Sequence, residues 1–138
     1  MAAYLAFAAL VAVAGYVRLA PSDPARWHVA PVADGPWGEV VATDGSASLR
    51  LGPDRGDPTA LLARLDAIAL ATPRTTRLVG SPAEGRITWV TRSALWGFPD
   101  YTTAEARPDG LYVLARLRFG RGDMGVNAAR LQDWLSRL

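Results

Sequence analysis

The stretch Leu111-Tyr-Val-Leu-Ala-Arg-Leu-Arg-Phe119 alternates between two sets of side chains along its whole length. One set is apolar and consists of Leu111, Val113, Ala115, Leu117 and Phe119. The other set contains the charged residues and consists of Tyr112, Leu114, Arg116 and Arg118. Successive side chains of a β-strand point to opposite faces of the sheet. The stretch therefore predicts a strand with one face in the core and the other face either wet or covered by a partner.

Three further β-type runs precede this strand, over residues 75–80, 86–93 and 101–107. The segments between the runs are short and rich in Gly, Pro and Asp, which are typical of turns. Four consecutive strands joined by short links predict an antiparallel meander.

Two amphipathic helices are predicted on either side of the strands. Residues 59–71 follow Asp57, which can cap a helix, and Pro58, which fits the first helical position. Residues 126–138 carry Leu131, Trp134 and two further leucines at helical spacing. Each helix has one apolar side, so the expected fold class is α+β. Residues 58–138 should form a two-layer sandwich, with two helices on one face of an antiparallel four-stranded sheet. An edge strand added to this sheet by the tether is left open.

The N-terminal segment differs from everything that follows, because residues 1–17 contain no charged side chain. A helix over residues 1–20 reaches about 30 Å, the thickness of the hydrocarbon core of a bilayer. Tyr4 and Tyr16 lie near its two ends, where aromatic rings prefer the membrane interface, and Pro21 ends it. We therefore expect residues 1–20 to form a transmembrane anchor with the lipid bilayer as partner.

Two other interpretations of this segment stay open. A cleaved signal peptide is compatible with the small residues of Ala12-Val-Ala14, although no basic residues precede the apolar run. A buried core helix is the other alternative, although the rest of the chain is small for enclosing a helix that is apolar on all sides. Arg18 and Arg26 weakly favour a cytoplasmic position for the residues that follow, but Asp23 lies between them and leaves the orientation open.

Residues 21–57 are expected to form an extended tether, because Pro and Gly recur throughout and no helix of useful length fits. Trp27, Trp37 and several valines make the tether too apolar for a free linker, so it should pack on the domain. Residues 19–58 carry a net charge of −3 and residues 59–138 a net charge of +4, which favours such packing. Exposed ion pairs contribute only about 0–1 kcal/mol each, so buried tryptophan area should dominate.

Composition excludes several function classes. The 138 residues contain no cysteine and one histidine, His28, so disulfides, thiolate catalysis and histidine-rich metal sites are ruled out. All 15 basic residues are arginines and face 13 acidic ones, and the net charge of +2 is too small to indicate a nucleic-acid partner. With no lysine and no base near a nucleophile, we expect no enzyme activity, no metal and no cofactor. A hydrolase using Asp100 or Asp123 is a weaker alternative.

The glycines Gly120, Gly122 and Gly125 match the dinucleotide-binding pattern G-x-G-x-x-G between a strand and a helix. The pattern requires a second parallel strand and an acidic residue about 20 residues further on, and neither follows. We interpret the motif as the turn into the last helix, with Asp123 or Asn127 capping its free N–H groups. An anion bound at the helix start is the alternative.

Four arginines could form a second site, since Arg92, Arg116 and Arg118 lie on predicted strands and Arg121 lies in the turn that follows. Arg116 and Arg118 would stand side by side on one face and repel each other unless carboxylates or a ligand anion pair with them. A structural network with Asp100 and Asp123 is the preferred interpretation, and binding of a small anion is the alternative.

The C-terminal block resembles a family known as domain of unknown function 1499, found in bacteria and plastids. The resemblance covers about residues 60–138 and rests on the spacing R-x-G-x-x-D-x-G-x-N-x-x-R and on the block Trp96-Gly-Phe-Pro-Asp-Tyr101. The spaced residues are Arg118, Gly120, Asp123, Gly125, Asn127 and Arg130. Gly122 stands where members often have Ser, and Tyr101 stands where a second Asp is common. The segment 16–23 is similar to alphaproteobacterial members, which implies the bacterial inner membrane.

These observations predict a non-enzymatic, single-pass accessory protein that docks on a membrane protein complex through its sheet face or its tether. The alternative is a membrane-tethered protein that binds a small anion through Arg92, Arg116, Arg118 and Arg121.

Overall fold

The computed structural model describes all residues, 1–138. It shows an α+β domain preceded by an exposed apolar helix. The helices are α1 (Ala2–Leu19), α2 (Pro24–Trp27), α3 (Pro58–Ala71) and α4 (Val126–Arg137). The strands are β1 (Val41–Ala42), β2 (Ser46–Leu51), β3 (Thr75–Ser81), β4 (Arg86–Arg92), β5 (Pro99–Arg107) and β6 (Gly110–Leu117). The three residues Pro53–Arg55 form a single 3-10 turn.

The strands form one antiparallel sheet in the order β1-β2-β6-β5-β4-β3. The predicted meander is confirmed as β3 to β6, but the sheet has six strands and the expected count of four is wrong. The two additional strands form a hairpin through Asp44 and Gly45 inside the predicted tether. In β2, buried and half-buried side chains alternate, with Ala47, Leu49 and Leu51 in the core. Surrounding glycines and prolines obscured this short alternation in the sequence.

Both long helices of the domain pack on one face of the sheet, as predicted. Asp57 caps α3 by accepting a hydrogen bond from the Ala60 amide at 2.9 Å, and Pro58 occupies the first helical position. Trp89 of β4 and Trp134 of α4 meet edge to face at 5.7 Å between ring centroids. The core between the layers contains Ala47, Leu49, Leu51, Leu61, Leu62, Leu65, Ala69, Ile87, Trp89, Ala104, Leu111, Val113, Ala115, Leu131 and Trp134.

Residues 20–40, here called the connector, cross the opposite face of the sheet. Ala20, Trp27 and Ala33 of the connector are buried there, and Trp27 packs with Val90 and Tyr101. The second face of the sheet is therefore covered by the chain itself. No ion pair joins residues 21–57 to the rest of the chain, so direct ion pairs do not attach the connector.

Candidate functional site

A stack of two aromatic rings fixes the centre of the connector. Trp27 lies flat on Tyr101 of β5, with ring centroids 4.0 Å apart and an interplanar angle of 10°. The hydroxyl of Tyr101 shares a hydrogen bond of 2.6 Å with Ser22 Oγ. The ring and the hydroxyl of Tyr101 both hold the connector on the sheet.

Arg116 and Arg118 of the predicted anion cluster bind the connector backbone. Arg116 Nη2 donates to the carbonyl oxygen of Trp27 at 2.9 Å. Arg118 Nη1 donates to the carbonyl oxygen of Pro21 at 2.9 Å and to the hydroxyl of Tyr101 at 3.0 Å. Burial, with a smaller contribution from the charge of Arg26, lowers the pKa of Arg116. Neither arginine forms an ion pair with a carboxylate. Each binds the backbone through one terminal nitrogen, and Arg116 Nε is buried without a hydrogen-bond partner.

His28 also belongs to this contact. Its Nδ1 lies 2.9 Å from the hydroxyl of Thr88, which is itself 2.8 Å from the hydroxyl of Thr103. Thr103 donates to the carbonyl oxygen of Trp27 at 3.1 Å. Burial, followed by the charge of Arg86, lowers the pKa of His28 and so favours the neutral ring. A neutral imidazole in a chain of hydroxyls supports a structural role for this residue.

The residues of the spaced pattern other than Arg118 lie in the turn into α4 and in its first turns. The carboxylate of Asp123 accepts from the amides of Gly125 (3.0 Å) and Asn127 (3.1 Å), and from the side-chain amide of Asn127 (2.7 Å). Asn127 is fully buried and its side-chain oxygen accepts from Arg130. Gly120 and Gly125 have φ angles of 97° and 77°, which residues with a side chain rarely adopt. These two glycines let the chain turn into the helix.

Arg130 links this network to the sheet. Its Nη2 lies 3.3 Å from the carboxylate of Asp100 at the start of β5, and both side chains are largely buried. Burial raises the pKa of Asp100, while the charge of Arg130 opposes that shift. The network joins the start of α4 to β5. Asp100 is paired with Arg130, and Asp123 accepts hydrogen bonds at the start of α4, which favours a structural role.

The four arginines of the predicted cluster do not lie in one common site. Arg121 lies beside an open cavity lined also by Asp44 and Asp123. Arg92, at the end of β4, lines a different open cavity together with Arg18 and Arg74. Since Arg116 and Arg118 hold the connector, only Arg92 of the four faces a cavity without carboxylates.

Sequence reasoning missed Arg18 and Arg74 as neighbours of Arg92. The signal was available, because Arg74 directly precedes β3 and Arg92 ends β4, and antiparallel strands place such residues together. Indeed, Thr75 pairs with Thr91, and Arg92 donates its amide to the carbonyl oxygen of Arg74 at 2.9 Å. The position of Arg18 depends on how α1 packs against the domain, and a local sequence pattern does not predict such a long-range contact. No three His, Asp or Glu side chains are grouped closely enough to hold a metal ion.

Comparison with known proteins identifies the family. A family model described as "Protein of unknown function (DUF1499)" matches residues 38–138. The match begins earlier than residue 60 and includes the hairpin of β1 and β2, in agreement with the six-stranded sheet. Searches among curated proteins and among solved structures give no match. Since the family model spans most of the chain, from the first strand to the last helix, the protein belongs to the DUF1499 family.

Proposed function

We propose that this protein is a non-enzymatic, single-pass accessory protein of the bacterial inner membrane, which docks on a larger membrane protein complex. The observation that carries the proposal is the exposed surface of α1. Of its 18 residues only Val17 is buried, and Leu5, Phe7, Leu10, Val11 and Val13 are 53–68% exposed. α1 is long and apolar enough to cross a membrane. Exposing so large an apolar surface to water is energetically unfavourable, whereas the hydrocarbon core of a bilayer accommodates it.

The composition of α1 supports a neighbouring helix as partner. Eight of its 18 residues are Ala or Gly. In lipid, where apolar burial gives no net driving force between helices, small residues allow helix backbones to approach closely and gain packing energy. A helix of this kind is suited to contact another transmembrane helix along its length.

The connector determines which part of the domain can dock. Because residues 20–40 cover the second face of the sheet, we assign docking to the edge formed by β1 and the connector. Trp37 is 45% exposed and packs under Arg50 of β2, whose guanidinium carbon lies 4.2 Å from the ring centroid. Val41 of β1 is 37% exposed. Tryptophan and arginine are enriched among the residues that carry most of the binding energy of protein interfaces.

The absence of a catalytic role is supported by the state of the ionisable side chains. His28 is hydrogen-bonded to Thr88, and Asp100 and Asp123 are held by Arg130 and by the start of α4. Each of these groups thus makes a contact that holds the fold together.

Purification from native membranes in a mild detergent tests the docking proposal. We expect the protein to elute with a larger complex whose other subunits are identified by mass spectrometry. Trp37→Ala should weaken this association while Val126→Ala, at an equally exposed apolar side chain on α4, should not. Elution of the native protein as a monomer alone would contradict docking.

Val11→Arg tests the anchor separately. Val11 lies midway along α1, and a charged side chain near the bilayer centre disfavours insertion by about 2.5–3.5 kcal/mol, which is roughly 100-fold in the insertion equilibrium. We expect carbonate extraction to release most of the Val11→Arg chain and none of the Val11→Leu control. Release of the intact wild-type chain by carbonate would contradict the anchor. So would a measured mass that corresponds to a mature chain beginning near Gly15.

A further inference from the structure

One end of the sheet lies beside α1. β3 begins and β4 ends here, and the loop of residues 93–98 connects β4 to β5 at the same end. β6 also ends here, because Leu117 pairs with Asp100 near the start of β5. Under the proposed function α1 leaves the bilayer at Leu19, so this end of the domain faces the membrane surface. The role of this end of the domain thus rests on the proposed membrane anchor.

The loop of residues 93–98 presents large apolar side chains along α1. Leu95 is 72% exposed, Trp96 44% and Phe98 40%. Trp96 and Phe98 border an apolar cavity of about 170 Å³ whose other walls are Leu10, Val13, Ala14 and Val17 of α1. The loop therefore lies beside the last three turns of the helix. Apolar and aromatic side chains beside a transmembrane helix are typical of segments that enter the membrane interface.

Internal hydrogen bonds keep this loop in place. Ser93 accepts from the Gly97 amide at 3.1 Å through its carbonyl oxygen and from the Phe98 amide at 2.9 Å through its hydroxyl. Arg18 donates to the carbonyl oxygens of Leu95 (2.8 Å) and Trp96 (3.2 Å). Arg92 donates to the carbonyl oxygen of Gly97 at 2.9 Å. The backbone contacts of two arginines thus fix the exposed apolar side chains against α1.

The same arginines form an uncompensated positive cluster. Arg18, Arg74 and Arg92 line an open cavity of about 420 Å³ with Thr76, Ser93 and Gly97, and no carboxylate lies among the lining residues. None of the three forms an ion pair. Arg18 Nη1, Arg74 Nη1 and Nη2, and Arg92 Nε and Nη2 make no hydrogen bond within the protein.

The distribution of acidic groups makes this cluster distinctive. At the opposite end of the sheet, Arg86 and Arg107 both bind the carboxylate of Glu105. Near α1, the carboxylate of Asp100 is bound to Arg130, and that of Asp123 caps α4. Three like charges around one cavity repel each other, so an anion from outside the protein is the remaining source of compensation. Guanidinium groups match the oxygens of a phosphate group in planar, paired hydrogen bonds.

We propose that Arg18, Arg74 and Arg92 bind the phosphate of an anionic phospholipid headgroup, while Leu95, Trp96 and Phe98 insert among the acyl chains beside α1. The position of Arg18 at the end of α1 places the cavity at headgroup depth. The three uncompensated charges favour a lipid with net negative charge over a zwitterionic one.

Thermal unfolding of the full chain in micelles of an uncharged detergent tests the site. Phosphatidylglycerol added to the micelles should raise the thermal midpoint by about 4 °C at tenfold excess over its dissociation constant, because binding to the folded state stabilises it. Phosphatidylcholine with the same acyl chains should raise it much less, and inorganic phosphate at matched ionic strength should not raise it. Equal stabilisation by inorganic phosphate would overturn the lipid headgroup in favour of a soluble anion.

Arg74→Gln separates this site from general charge attraction. Arg74 makes only one side-chain hydrogen bond, to the carbonyl oxygen of Arg92, so its replacement should leave the fold intact. We expect Arg74→Gln to lose most of the shift caused by phosphatidylglycerol. Arg64→Gln removes the same charge from an exposed position on α3 and should keep the full shift. Equal shifts in both variants would overturn the proposed site.

A single label measures the insertion of the loop, since the chain has no cysteine of its own. A fluorophore on Leu95→Cys should be quenched by lipids that carry a nitroxide on the upper acyl chain. The same label on Glu84→Cys, in the turn at the opposite end of the sheet, should not be quenched. A Leu95 label that is not quenched, in a chain that carbonate does not release, would overturn loop insertion while leaving the α1 anchor and the docking proposal intact.

Discussion

Replacing Trp27 with alanine is expected to lower the free energy of unfolding by about 3–5 kcal/mol, the usual cost of removing a buried aromatic side chain. Trp27 is 5% exposed and its ring covers Tyr101. Its loss also exposes the contacts that Arg116 and Thr103 make with the Trp27 carbonyl oxygen. The connector should therefore detach from the sheet. Urea unfolding measures the stability, and trypsin cleavage after Arg26, expected to be roughly 100-fold faster, measures the detachment.

Two matched variants make the test of Trp27 specific. The indole N–H of Trp27 is buried without a hydrogen-bond partner, so Trp27→Phe keeps the ring stack and removes an unsatisfied donor. We expect this variant to lose no more than about 1 kcal/mol. Trp37→Ala removes an equally large ring that is 45% exposed, and it should leave cleavage after Arg26 unchanged. Equal acceleration of that cleavage by Trp27→Ala and Trp37→Ala would contradict the anchoring role of Trp27.

Asp66→Ala is expected to destabilise the domain by about 2–4 kcal/mol, because it leaves the buried indole N–H of Trp89 without an acceptor and Arg77 without its ion-pair partner. Asp66 on α3 is 7% exposed and binds Arg77 of β3 through both carboxylate oxygens. It also accepts from the indole nitrogen of Trp89 at 3.0 Å, and Trp89 is fully buried. The carboxylate thus joins the helical layer to two strands. Denaturant unfolding measures the loss.

Two further variants identify which contact of Asp66 matters. Asp66→Asn keeps an oxygen for the Trp89 indole and loses only the charge, so it should cost about half as much as Asp66→Ala. Asp133→Ala removes the partner of Arg137 in an exposed pair one turn apart on α4, which should cost only about 0.3–0.5 kcal/mol. If Asp66→Ala proved as mild as Asp133→Ala, the buried contact with Trp89 would not hold the layers together.

Local patterns predicted the elements they control directly. The alternation of residues 111–119 and the capping pair Asp57-Pro58 each depend on neighbours within a few positions, so they identified β6 and the start of α3. The β1–β2 hairpin was foreseen only as an open alternative of one edge strand from the tether, because a six-residue strand between Gly- and Pro-rich segments has too few alternations to be recognised. Its pairing with β6, which follows about 60 residues later, provides the stability that its own residues do not show.

The roles of the arginines depend on contacts that are distant in sequence. Arg116 and Arg118 were placed on one strand face correctly, but their partners are carbonyl oxygens 89 and 97 residues earlier in the chain. Only the path of the connector across the sheet brings these carbonyl oxygens to the two arginines. The cavity of Arg18, Arg74 and Arg92 likewise exists only where α1 meets the sheet.

The sequence alone therefore determined the apolar helix, the α+β class, the meander and the family resemblance, because hydrophobic periodicity and capping act between near neighbours. The tertiary structure decided the six-stranded sheet, the cover over its second face and the arginines that remain unpaired. These features arise when strands and connector segments far apart in the chain compete for the same hydrogen-bonding groups, and a linear pattern does not record the outcome of that competition.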